Sequence, residues 1–424
     1  MSYYFRLMKL IYQFLIIMII VGNFYLPAQA RFKRPLTFSS GFFESMNSNQ
    51  GMVHYSLTMI QLHSLLFDKI ADSFKNRLVP FFIELPLGYW LIQSFSVPFH
   101  EFGHARAAHA VSKQSSYKTY GWLKLDSLNF WELAFICLLT PPVGFPGGGH
   151  AVTIISDTPS SSPYSEIKDD LIMTTSGLNN QSFLASQIAD SIYQNQGHLV
   201  YCGHYLGNKI QHWAYAWVDN DQFNGDITSM LKSYKKLSIP IKKRDIQIFS
   251  LLSVCSGTTA SLFKSYYTFL KYGNPIVETM EWKKIRFPDL NFYINASGLS
   301  YEIVSGYRFS PHLNLQLATE WVFKGIKNQL QLTPAIHYQL SSDFPGIPGS
   351  LWLKAECILA SHPSGGFKIQ WAPFKNMETG WQSLFFETQY TYYHADNLYG
   401  ERNIPKVSHK KTAHELLVQI GYSI

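Results

Sequence analysis

Cysteine, charge and long unbroken apolar runs are all scarce in this chain. Its four cysteines (Cys137, Cys202, Cys255 and Cys357) stand at long, irregular spacings without a CxxC pair, which argues against a thiolate metal site. Cys137 and Cys357 sit in apolar runs, as buried thiols do, and a Cys202–Cys255 bridge is left open by spacing alone. Charged residues make up only 15% of the 424 positions, and the formal net charge of +7 is spread thinly except at Lys235-Lys236 and Lys242-Lys243-Arg244. That cluster reads as a solvated loop or as a contact for anionic lipid head groups. No motif interleaves basic with aromatic residues, so nucleic acid is not an expected partner. Few charges beside 16% aromatic residues suit a folded chain that faces lipid or carries a wide, aromatic-rich sheet.

At the N-terminus, Arg6 and Lys9 precede an apolar stretch from Leu10 to Val21, followed by Pro27-Ala28-Gln29-Ala30. A basic start, an apolar core and small residues at an A-x-A site give residues 1–30 the pattern of a secretory signal peptide, with an uncleaved membrane anchor as the other reading. The core is shorter than the ~20 apolar residues of a full membrane span. The expectation is export, to the outer membrane or the periplasmic face of a membrane in a Gram-negative-type envelope.

Two regions follow, a helical one over residues 45–275 and a β-rich one over 289–424, giving an α + β multidomain chain. Met52 to Phe74 reads as an amphipathic helix, with Leu57, Ile60, Leu65 and Ile70 among its apolar positions. Leu78 to Phe99 is more apolar but contains Pro80, Glu84, Pro86, Gln93 and Pro98, which predicts a broken, buried or membrane-dipping helix. Helical spacing returns at Asn179–Gln194, His204–Trp217, Asp226–Tyr234 and Ile246–Tyr272.

From Asp289 the period becomes two. Leu313, Leu315, Leu317, Trp321 and Phe323 alternate with Asn314, Gln316, Ala318 and Glu320, and seven further segments between Leu290 and Ile424 alternate likewise. Eight strands near the ~9–11 residues of a membrane strand, with aromatics crowding their ends, predict an antiparallel, eight-stranded outer-membrane β-barrel. A soluble β-sandwich is the rival reading of the same alternation.

The chemistry is concentrated in His100-Glu101-Phe102-Gly103-His104. Residues four apart share a helix face, so His100 and His104 can offer two imidazole nitrogens to one zinc ion. Glu101, one position on, stands beside the ion and can act as general base and then acid. Pro98 is expected in the first helical turn, with Ser96 as a nearby cap.

An apolar segment leading into His-Glu-Phe-Gly-His resembles the site-2-protease-type (M50-like) membrane metallopeptidases. It is less similar to metzincins, whose third His would fall on Ala110. The resemblance implies a peptide or protein substrate, Zn2+, and a third ligand from a downstream Asp, commonly in Asp-Gly. The chain instead carries an inverted Gly225-Asp226 at the start of a helical pattern. Asp226 is the first choice for this ligand and Asp221 the second; either could simply cap a helix, and His150, His198, His204 and His212 are further candidates. Gly147-Gly148-Gly149-His150 reads as a flexible loop or a platform for an extended peptide, and Gly177-Leu178-Asn179-Asn180-Gln181 as a cap preceding a helix. The resulting expectation is an exported, membrane-associated zinc metallopeptidase. The alternatives are a non-enzymatic outer-membrane barrel with a structural metal site, and an inner-membrane protease with a periplasmic β-domain.

Overall fold

The structure, a computed structural model, describes residues 35–36, 49–111, 113–119, 125–139, 151–156, 165–195, 197–219, 225–310, 312–326, 329–340, 349–373, 384–394, 396–398, 402 and 412–423. The expected signal peptide at residues 1–30, His150 with its glycines, and Asp221 lie outside the described residues. Eight helices are described: α1 (Asn49–Ser73), α2 (Leu78–Ala110), α3 (Phe130–Leu139), α4 (Glu166–Asn195), α5 (Leu199–Val218), α6 (Asp226–Lys236), α7 (Lys243–Ser253) and α8 (Gly257–Tyr272).

Val53, Ile60 and Phe67 recur every seven residues along α1, so they share one buried face. They pack with Phe99 and Phe102 of α2 and with Leu184, Ile188 and Ile192 of α4. Each such side chain contributes about 1.5–3 kcal/mol on burial, which outweighs local penalties elsewhere. The clearest case is α2, which runs unbroken for 33 residues through Pro86 and Pro98. A proline removes one helical hydrogen bond and was expected to break this segment. Packing of α2 against α4 and α5 holds it as one helix, and by length and composition it is sufficient to cross a bilayer. Its C-terminal half, from Pro98 to Ala108, is nonetheless buried in the protein. The Ile246–Tyr272 pattern divides instead into α7 and α8, and Ser256 caps α8 by accepting from Thr259 N.

The β-region forms an antiparallel sheet in which consecutive strands are neighbours: β7 (Ile285–Asn295), β8 (Gly298–Ser310), β9 (Leu313–Gly325), β10 (Leu330–Leu340), β11 (Ser350–Ile358), β12 (Ser364–Ala372), β13 (Leu384–His394) and β14 (Thr412–Ser423). Two-residue strands lie at its margins. Pro35–Leu36 (β1) pairs with the end of β14, and Glu281–Trp282 (β6) with the start of β7. Two small sheets, β2 (Ser115–Thr119) with β3 (Ala151–Ile155), and β4 (Gly197–His198) with β5 (Ile276–Val277), belong to the helical region.

The alternation is inverted relative to a soluble sheet. Glu320, Gln331, His337, Glu387, Glu415 and Gln419 are buried, whereas Leu317, Leu330, Ile336, Phe367, Phe386 and Ile420 of the other face are exposed. Among the described residues the sheet does not close into the expected barrel, and helices occupy the edge of β7 that closure would need. Asn179 of α4 receives the N–H of Ile294 at 2.9 Å and donates to its carbonyl at 2.7 Å. Ser182 donates to Phe292 O at 3.0 Å, and Lys209 of α5 reaches Leu290 O. Unpaired strand edges need partners when buried, and here side chains supply them. Farther along α4, Tyr193 O accepts from Arg308 and Gln194 Oε1 from Asn314, so one helix serves both the seam and the polar face.

Candidate metal centre

The two histidines of α2 meet α4 where both helices lack side chains. A Cβ on Gly103 would stand 2.5 Å from Ser176 O, and one on Gly177 would stand 2.5 Å from His104 Nε2 and 2.7 Å from His100 Nε2. Gly103 lets the backbones approach, and Gly177 leaves open the space beside the imidazoles. The Gly177–Gln181 segment lies inside α4 and not ahead of a helix as expected.

His100 Nε2 and His104 Nε2 are 3.1 Å apart, and Asp226 Oδ2 lies 3.0 Å from the first and 3.3 Å from the second. The other ring nitrogens are engaged: His100 Nδ1 donates to Gln181 Oε1 at 3.1 Å and His104 Nδ1 to Met173 O at 2.7 Å. These partners assign the tautomers, so two imidazole lone pairs and a carboxylate oxygen face one point. With those tautomers three acceptors converge, an arrangement that a cation would satisfy. His100, His104 and Asp226 each offer one ligand atom, close enough together to hold a metal ion. Without one, a proton takes its place. Burial disfavours charge on His104, but the Asp226 carboxylate lifts its pKa to about 9. Burial likewise opposes charge on Asp226, and His104 and His100 hold it well below the usual carboxylate range.

Asp226 is not the cap of its own helix. The N-cap of α6 is Gly225, and Asp219 does the capping: its carboxylate accepts from Gly225 N at 3.2 Å, Thr228 N at 2.8 Å and Thr228 Oγ1 at 3.1 Å. Asp226 is thereby free to turn toward the histidines, and its charge also suits a helix N-terminus.

Glu101 is buried beside the donors. Thr153 of β3 places its hydroxyl 2.8 Å from Glu101 Oε2 and 2.9 Å from Glu101 O. Burial pushes the Glu101 pKa up, against the opposing effect of His100 and His104. Tyr215 of α5 stacks on His100, with ring centroids 5.1 Å apart and planes 20° from parallel. Burial, then Asp226, Glu101 and Asp219, push its phenol well above the ordinary range.

Ser96 lies within α2 and is not its cap; it accepts from Gln181 Nε2 at 2.7 Å and donates to Asn208 at 3.1 Å. Pro98 likewise lies deep in the helix. The remaining histidine candidates are engaged elsewhere. His198 caps α5 and meets Asp68 at 3.0 Å, His204 is 3.1 Å from His63, and His212 is 3.4 Å from Ser182. A second set of three donors, His362, His394 and Asp396, lies at the sheet rim, where His362 is exposed and His394 Nδ1 accepts the Asp396 N–H. All four cysteines are free thiols, so the Cys202–Cys255 bridge is not present.

Thr153, Tyr215, Met173 and Asp219 carry no motif, and only Asp219, six residues before Gly225, offered a sequence cue as a potential Asx-type cap. Comparison with known proteins gives no match of any kind: no family model, curated protein or solved structure matches this chain.

Proposed function

We propose that the protein is an exported, membrane-associated zinc metallopeptidase that hydrolyses peptide bonds with water. The observation that carries this reading is the convergence of His100 Nε2, His104 Nε2 and Asp226 Oδ2 on one point, with the buried Glu101 adjoining it. Zinc bound there would supply Lewis-acid polarisation of the scissile carbonyl and acidify the attacking water. Gln181 and Met173 hold the two imidazoles in the ligating tautomer, and Asp219 sets the turn that presents Asp226. Glu101 accepts the proton of the attacking water and returns it to the departing amine nitrogen, a role suited by a carboxylate whose pKa burial has raised. Thr153 aims that carboxylate.

The inverted sheet supports the membrane part of the reading. A sandwich buries its apolar face, whereas here Leu317, Ile336, Phe367 and Phe386 are exposed and the polar face is enclosed. Such a sheet suits lipid outside and protein within, with the β7 edge satisfied by α4 in place of strand closure. Release of the protein from membranes by alkaline carbonate would remove lipid from the account.

Glu101→Gln tests the chemistry. The variant should keep its zinc, measured by elemental analysis, and lose about 10²–10⁴-fold in cleavage of a quenched-fluorescent peptide library. Cleavage at the wild-type rate would sink the assignment. Zinc binding without any cleavage by the wild-type chain would favour the non-enzymatic alternative, a structural metal site.

A further inference from the structure

Tyr215 is the polar group of the centre left without a role by the ligand and base assignments. Its ring plane is set by the stack on His100, 5.1 Å away, and its hydroxyl lies in the field of Asp226, Glu101 and Asp219. Among the described residues that hydroxyl has no hydrogen-bond partner. Other tyrosines of this region use theirs structurally: Tyr205 ties α5 to Asp289 at 2.6 Å, and Tyr234 of α6 holds Asn295 O at 2.5 Å. Packing explains the ring of Tyr215, a half-buried residue, but not its oxygen.

We propose that Tyr215 is a catalytic residue whose O–H donates a hydrogen bond to the scissile carbonyl oxygen as negative charge develops on it. The inference rests on the peptidase reading above. When water adds to the carbonyl carbon, Glu101 takes the water proton and the C=O electron pair moves onto oxygen. The Tyr215 proton stays on Tyr215 throughout. As the C–N bond breaks, that electron pair returns to re-form the carbonyl, and Glu101 hands its proton to the leaving nitrogen. A donor fixed before the reaction stabilises developing charge without reorganising. Because the charge is present only in the transition state, the contribution falls on kcat more than on KM.

Tyr215→Phe keeps the ring and its stack on His100 while removing the donor. In the full chain, zinc content should equal that of wild type, and kcat on the quenched-fluorescent peptide library should fall by about 10²–10³-fold with KM nearly unchanged. A second measurement needs no turnover. Acetohydroxamate binding to the cobalt-loaded protein, read from the visible cobalt bands, should weaken about tenfold in the variant. Wild-type kcat in Tyr215→Phe, or loss of its metal, would overturn the proposal, the second result marking Tyr215 as structural. If the wild-type chain itself cleaves nothing, the peptidase reading fails. The hydroxamate comparison then judges Tyr215 alone, and equal affinities would overturn its donor role.

Discussion

Gly177 stands against His104 so closely that a Cβ on the glycine would lie 2.5 Å from the imidazole Nε2. The open side of the donor set is thus made by an absent side chain on the neighbouring helix.

Gly177→Ala separates two opposed effects. In a helix interior alanine is favoured over glycine by about 1 kcal/mol, so the metal-free variant should be no less helical than wild type. The added methyl displaces the ligating nitrogens, and zinc affinity should fall by about 10–100-fold, as when groups that orient ligands are lost. Competition with a chromophoric chelator measures this, and undiminished affinity would remove Gly177 from the site.

Asn179→Ala tests the seam between helix and sheet. The substitution leaves both the N–H and the carbonyl of Ile294 without their partner at a buried edge. Each orphaned group costs about 1–3 kcal/mol, so the thermal midpoint should drop by several degrees. Proteolysis should then open the chain near the end of β7, and an unchanged midpoint would mean that the edge finds its partners elsewhere.

Acid should destabilise the protein through histidines that are buried neutral: His212, His204 and also His337, which burial pulls down to about 4. Burial, then His100 and Lys209, pull His212 down to about 3, and burial with His63 holds His204 well below the usual range. Unfolded, all three titrate near ~6.5. Below that pH the unfolded chain takes up protons that the folded one refuses, so stability is present above it and lost as pH falls, by about 1.4 kcal/mol per unit per histidine. His104 acts in the other window. With its pKa lifted to about 9, its contribution in metal-free protein is complete below ~6.5 and lost as pH rises through the folded value. Thermal unfolding of metal-free protein across this range should show a maximum between the two limits. His212→Gln should flatten the acid limb by roughly a third, and an acid limb unaltered by that change would contradict the assignment.

Much of the architecture was legible in the chain because it follows local periodicity. The alternation from Asp289 onward corresponds to eight long strands within a residue or several of their observed ends, since a period of two arises in the strand itself. The interruption expected within Leu78–Phe99 is absent, because proline penalties are local while the burial that overrides them comes from α4 and α5. The start of α4 was misplaced by more than a turn because Asn179, Asn180 and Gln181 look like capping residues. Inside the fold they are spent on Ile294, Phe99 and His100, partners 81 or more residues away in sequence.

By itself the sequence determined that His100 and His104 share a helix face with Glu101 next to them, and that the second half alternates as strands do. Both follow from fixed repeats of the backbone. Only the tertiary structure decided which carboxylate approaches the histidines, that Asp219 and not Asp226 caps α6, and that Gly177 leaves the opening. It also decided that among the described residues the sheet stays open, with α4 supplying to the β7 edge hydrogen bonds that a closing strand would have made. Those outcomes depend on contacts between segments distant in the chain, and no local pattern specifies them.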